Sequence, residues 1–193
     1  EIANEFKDDA FFLEGVLVPG FVNTHCHLEL SHLKNELTPN KEGMKGFIQQ
    51  LFSKRFQSEE AEQINSMYAA DTEMWNQGIV AVGDISNFNR STIVKAESKI
   101  YYHTFIELLG LNPSFASAIV EKGLALQQEF LNGNCGKASL TPHAPYSCPT
   151  ELLNLLFKNV NANDPLTIHM QESLDELQFC RDKSGPLTEF FND

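Results

Sequence analysis

Basic residues are scarce in this chain: 14 Lys and Arg stand against 26 Asp and Glu, a formal net charge of -12 over 193 residues. A surface that grips a polyanion needs clustered Lys and Arg, and no basic stripe occurs anywhere in the sequence. Nucleic acid is therefore excluded as an expected partner, and the acidic excess is read as a source of solubility. Long apolar runs are missing too, so no segment reads as a membrane span, and no membrane partner is expected. Cysteine is sparse: Cys26, Cys135, Cys148 and Cys180 are widely scattered and form no CxxC pair. That excludes a disulfide scaffold and fits reduced thiols in a cytoplasmic setting. The opening residues, Glu1 to Asp9, do not form a signal peptide, and no initiator Met precedes them. The chain is accordingly expected to be part of a longer protein. Internal repeats and low-complexity segments are also absent.

What is present is an ordinary globular mixture, 42% apolar and 21% charged, in a chain long enough to bury a real core. Strand-like and helix-like segments alternate. Residues 11–18 read as a strand belonging to a small β domain, so residues 1–18 are taken as its remnant and 19–193 as the main domain. Phe21–Thr24 is the first strand of that domain. Helices are expected at about 42–56 and 58–77, the second with Ser58 as N-cap and Glu59, Glu60 and Glu62 in a first turn favoured by the helix dipole. Ile79–Ile85 reads as a buried strand, 91–98 as a short helix and Ile100–Leu108 as the third strand. Pro113 opens a helix to about Leu131. A strand at Lys137–Pro142 and a helix at 150–160 follow. Leu166–His169 reads as the fifth strand, with helices at about 173–183 and from Pro186 onward.

Such alternation implies a parallel sheet, either doubly wound or part of a barrel. Parity favours the barrel. Residues two apart on a strand share a face. Asn23, His25 and His27 therefore share one; Ser139, Thr141 and His143 another; Thr167 and His169 a third, while the opposite faces carry apolar side chains. Polar strand ends on one face and an apolar opposite face match a lumen inside and helices outside. The expected fold is α/β, a TIM-type (β/α)8 barrel of which about the first five units are present.

The segment Val18-Pro19-Gly20-Phe21-Val22-Asn23-Thr24-His25-Cys26-His27 puts two imidazoles on one face at a strand end, where they can share a metal ion; Cys26 points the other way. Two histidines near a surface turn would give the same spacing. The motifs Thr141-Pro142-His143-Ala144-Pro145-Tyr146-Ser147 and Ile168-His169-Met170-Gln171-Glu172 place further histidines at carboxyl ends of expected strands, where α/β folds bind ligands. A few imidazoles around a divalent ion leave open positions for water, a catalytic arrangement. Glu172, three residues past His169, is placed either to move protons in such a site or to favour the next helix as an N-terminal acid.

Together PGFVNTHCH, TPHAPYS and IHMQE resemble the amidohydrolase superfamily, and most closely its cyclic deaminases, which act on adenosine-type compounds, aminodeoxyfutalosine and guanine; triazine chlorohydrolases share the motifs. The resemblance runs from about Leu17 to the end. It implies that His25, His27 and His169 are metal ligands, that Glu172 is the proton-shuttling acid, and that His143 contacts substrate. It also implies one divalent ion, zinc ahead of iron, and attack of metal-bound hydroxide on the amidine carbon of a purine-like ring with loss of ammonia. A chlorohydrolase, another C–N hydrolase or an inactive metal-binding domain are the alternative readings. The family completes its site with a later histidine and aspartate, and Asp193 follows a helical segment, so it is not assigned that part. The expected partner is a small-molecule substrate, with homo-oligomerisation left open.

Other residues divide between chemistry and structure. Glu29 is near enough to the mouth to touch substrate hydroxyls, or is a solvated loop acid. Asp84 and Glu107 end strands and are assigned to hydrogen bonds or ion pairs ahead of lining the mouth. His32 is read as a loop residue, His103 as a packing residue, and Trp75, with Met67 and Met74, as core. Tyr146 and Ser147 are divided between substrate contact and loop packing.

Overall fold

Runs of β-branched and aromatic residues bounded by glycine or proline form the sheet that organises the molecule. A computed structural model describes residues 13–38 and 41–192. The strands are β1 (Phe21–Cys26), β2 (Ile79–Ser86), β3 (Tyr101–Leu108) and β4 (Lys137–Pro142), all parallel and in the order β1-β2-β3-β4. The helices are α1 (Gly43–Lys54), α2 (Glu60–Asn76), α3 (Thr92–Glu97), α4 (Ala116–Asn132), α5 (Thr150–Asn159), α6 (Leu174–Asp182) and α7 (Pro186–Asn192). Sequential parallel strands need long crossovers, and the helices between them supply these.

Strand parity sorts the side chains as expected. Tyr102, Ile106, Leu108, Ala138 and Leu140 point to the helical side and are buried. There Ile106, Leu108 and Leu140 meet Val120 and Phe130 of α4, and Leu152 and Leu156 of α5. Leu152 and Leu156 are one helical turn apart, so one face of α5 reaches the core. A second cluster joins Val82, Tyr102 and Leu28 to Met67 of α2 and Val94 of α3. Gly136 enters β4 at φ +88, and a Cβ there would lie 2.0 Å from the Tyr102 carbonyl oxygen, so no side chain fits. Among the described residues no helix is long and apolar enough to cross a membrane.

Several expectations are corrected. Residues 13–18 form no strand, and Val16 and Leu17 are almost fully exposed, because no strand among the described residues pairs with them; residues 11 and 12 lie outside the described residues. Ser58 is not the N-cap of α2. Glu59 takes that position with extended backbone, and the Ser58 carbonyl instead accepts from Gln63 Nε2 at 2.9 Å. Trp75 is 39% exposed, with Lys99 Nζ 5.6 Å over its ring. One residue turns a helix by about 100°, which carries Trp75 away from the face that packs Met74 inward.

The fifth strand is present only as an extended segment. Residues 165–170 form no regular ladder. The segment is held to β4 by a hydrogen bond from His169 N–H to the His143 carbonyl (2.8 Å) and by side chains. Thr141 Oγ1 accepts from Thr167 N–H at 2.9 Å and donates to the Thr167 carbonyl, and Ser139 Oγ donates to the Pro165 carbonyl at 3.0 Å. Hydroxyls on β4 replace the rungs that a paired backbone would supply.

Candidate metal centre

The carboxyl ends of β1 and β4 and the end of the fifth segment converge on one cavity of about 720 Å³. His25, His27, His143, His169, Glu107 and Glu172 all line it. His25, His27 and His169 each present a ring nitrogen, and these atoms lie within 4.8 Å of one another. Nitrogen ligands around one zinc ion stand roughly 3.3–3.6 Å apart, so the three rings need to close only slightly to hold a divalent ion. The donor chemistry also fits. Burial lowers His25, and lowers His27 to about 4, so both are neutral lone-pair donors at pH 7. His169 differs, because hydrogen bonding to Glu107 and Glu172 raises it to about 9, and metal uptake there displaces a proton. Cys26, between the two β1 histidines, is not a donor: its side chain faces Asp84 behind the sheet, and burial pushes its thiol up to about 12.

Glu172 reaches His169 by local geometry. Gln171 adopts φ 60, a left-handed turn that redirects the chain, and Glu172 Oε1 comes 3.1 Å from His169 Nδ1. The start of α6 is served by other groups. Ser173 Oγ accepts from Glu176 N–H at 3.1 Å, and Glu176 Oε2 accepts from Glu172 N–H at 2.7 Å. With Ser173 and Glu176 bonded to these N–H groups, the Glu172 carboxylate is left to the cavity. Its hydrogen bond with His169 holds Glu172 below the usual carboxylate range.

His143 is fixed through Nδ1 by Ser147 Oγ at 2.6 Å, which leaves Nε2 as the nitrogen to offer the cavity. Burial lowers its pKa. Glu107 is more than the structural acid expected from sequence: its Oε1 lies 3.2 Å from His169 Nε2, and Asn87 Nδ2 donates to its Oε2 at 3.0 Å. Asp84 is the ion-pair residue expected, bonded to Lys95 Nζ at 2.6 Å behind the sheet. Glu29 is not among the cavity-lining residues. It is buried, pairs with Arg55 Nη2 at 3.1 Å, and accepts from the N–H groups of Asn87 and Phe88 at 3.0 and 3.1 Å. His32 holds the Arg55 carbonyl at 3.2 Å, a loop contact, and His103 pairs with Ser139 Oγ at 2.8 Å.

The cavity's far wall is apolar. Met44, Phe47, Ile48, Leu51 and Phe52 line it from α1, and Phe190 and Phe191 from α7. The α1 residues have the three-and-four spacing of one helix face. That amphipathic run was visible in the sequence, but nothing local says that its apolar face covers a cavity. Asn87 and Arg55, which also line the cavity, carried no recognisable signal.

Residues 16–189 match the model of the amidohydrolase family, and the chain belongs to that family. It is 31% identical over 198 aligned positions to a 5'-deoxyadenosine deaminase of Methanococcus maripaludis, an alignment that covers 95% of this chain and 45% of the relative. Among solved structures, Helicobacter pylori aminofutalosine deaminase in complex with methylthio-coformycin superposes with a TM-score of 0.74 at 23% identity, over 90% of this chain and 42% of that one. An adenosine deaminase from Xanthomonas campestris with bound zinc superposes with a TM-score of 0.65 at 14% identity, over 90% and 41%. The chain thus spans under half the length of these relatives, and its sheet is a partial barrel.

Proposed function

We propose that the protein carrying this chain is a metal-dependent aminohydrolase that removes ammonia from a purine-like ring. The observation that carries this reading is the convergence of His25, His27 and His169 beside Glu172 at one end of a largely apolar cavity. In this reading His25, His27 and His169 hold one divalent ion, zinc ahead of iron, a preference supported by the zinc in the Xanthomonas structure. When bound, the ion supplies Lewis-acid activation of water. Glu172 is within hydrogen-bond reach of the centre and moves the proton between water and a ring nitrogen. His143, held by Ser147, offers Nε2 to polar atoms of the substrate. The wall of α1 receives the flat apolar body of the ring and its substituents. The deaminase activity named for the Methanococcus relative supports adenosine-type compounds as the substrate class. The scattered cysteines support a cytoplasmic setting, and residues 19–193 are assigned to the barrel, with 1–18 as the remnant of a preceding β domain.

The test is zinc content and ammonia release by the purified protein on adenosine, 5'-deoxyadenosine, guanine and a chlorotriazine. Ammonia from a purine, lost on chelation and restored by zinc, is the expected result. Chloride release from the triazine without ammonia from any purine overturns the substrate class, and absence of metal with all four inert overturns the enzyme reading.

A further inference from the structure

The β1–β2 ladder is irregular where the two histidines sit: its register shifts between Asn23 and Cys26. The ladder resumes at the Cys26–Asp84 pair and ends there, so backbone pairing does not by itself fix the peptide that follows His27. A side chain does. Asp84 Oδ1, from β2, accepts the N–H of Leu28 at 2.7 Å, in the peptide directly after His27. That bond fixes the plane of the His27–Leu28 peptide and so constrains the backbone from which the His27 ring projects.

Asp84 is itself immobilised. Its Oδ2 pairs with Lys95 Nζ of α3 at 2.6 Å, both side chains fully buried, and accepts from Ser86 Oγ at 3.0 Å. Lys95 Nζ also donates to Thr104 Oγ1 at 2.9 Å and lies 4.5 Å from the centre of the Phe130 ring. The whole group sits on the helical side of the sheet, opposite the cavity, and touches neither the cavity nor solvent. A buried ion pair is weak as a source of stability, since apolar residues of the same volume often serve as well. Its geometry here has a specific output, the Leu28 N–H.

We infer that Asp84, through the oxygen it offers to the Leu28 N–H, is a positioning residue that aims His27 at the metal from behind the sheet. This inference rests on the metal reading above. Groups one bond removed from metal ligands typically alter metal affinity 10–100-fold when lost.

The experiment compares two double variants of the full protein. In D84N/K95M the asparagine Oδ1 still accepts from Leu28 N–H while the charge pair is removed whole. In D84L/K95M the acceptor is gone and the volume is kept. Zinc affinity by competition with a chromophoric chelator is expected to stay within about threefold of the parent in the first and to fall at least tenfold in the second. Amide exchange of Leu28 in the parent provides a measurement independent of any variant's folding, and protection comparable to the β2 and β3 core is expected. Equal zinc affinity in the two variants, or a Leu28 amide exchanging like a surface loop, overturns the positioning role. A parent protein that binds no zinc overturns the metal reading first, and the positioning role with it.

Discussion

The N–H of His169 donates to the carbonyl of His143 at 2.8 Å, so two cavity histidines from separate segments share one backbone hydrogen bond. Around it, the side chain of Thr141 does what a strand ladder ordinarily does. Its hydroxyl both accepts from and donates to Thr167. Replacing Thr141 with Val keeps the shape and leaves both Thr167 groups without their partner. The expected cost is about 1–3 kcal/mol of stability, accompanied by weaker zinc binding as His169 loosens. T141S, which keeps the hydroxyl, is expected to restore both. Denaturant unfolding and chelator competition on the two variants check this.

Glu172 and the start of α6 are separable. E172Q is expected to lower kcat by roughly 10²–10⁴-fold, the range for a lost general acid–base group, with zinc content near that of the parent. Ser173→Ala removes the side-chain acceptor that caps α6 and is expected to cost about 1 kcal/mol of stability with kcat little changed. Steady-state kinetics, metal analysis and thermal unfolding on both variants separate the two roles.

Arg55 is expected to matter to structure through three partners at once. It pairs with Glu29 and lies 5.1 and 5.2 Å from the ring centres of Phe56 and Phe88. R55A leaves the buried Glu29 carboxyl without its cation; because burial already holds that carboxyl at about 7, it takes up a proton, and the loss of the paired donor is expected to cost about 1–3 kcal/mol. E29Q is expected to be much milder. Burial already raises the Glu29 carboxyl to about 7, and a glutamine oxygen can still accept from the Asn87 and Phe88 N–H groups. R55K keeps the charge but loses the flat guanidinium packed against both rings, and is expected to fall between R55A and E29Q. Chemical denaturation ranks the three.

His103 makes stability sensitive to acid. Burial lowers its pKa below the ordinary imidazole value. The folded state thus favours the neutral ring, and the unfolded state binds the proton more readily. Stability from this group is fully present above the unfolded pKa and declines as pH falls from there through the folded value. H103Q, which can keep a hydrogen bond to Ser139, is expected to flatten the fall in Tm below about pH 6.5. Unfolding temperatures of parent and variant from pH 8 to pH 5 check the slope.

Much of the site could be read from the chain because its carriers are periodic. Strand parity places His25 and His27 together, and both line the cavity with His143, while Ser139 and Thr141 on the same face as His143 bond the fifth segment instead. What escaped depends on contacts across long sequence distances. The irregularity at β1, the stripe of α1 turned toward the cavity, and the pairing of Lys95 with Asp84 have no local signature; each arises only once helices pack on a sheet. Leu166–His169 reads as a strand because its composition is that of one, yet strand composition does not guarantee a ladder when hydroxyls on β4 occupy the rungs. Trp75 reads as core from its place in one helix with Met67 and Met74, yet the helix turns it outward.

Cys26 sits between two expected ligands, yet its sulfur is chemically quiet. With its thiol pushed up to about 12, only about one molecule in 10⁵ carries a thiolate there at pH 7. Cys135 and Cys148 are buried, and burial raises both thiols. Cys180, on α6, is exposed. Among the four thiols of this chain, Cys180 is therefore the one open to thiol-directed labels at neutral pH, a position for a fluorophore or spin label on α6 away from the buried thiols.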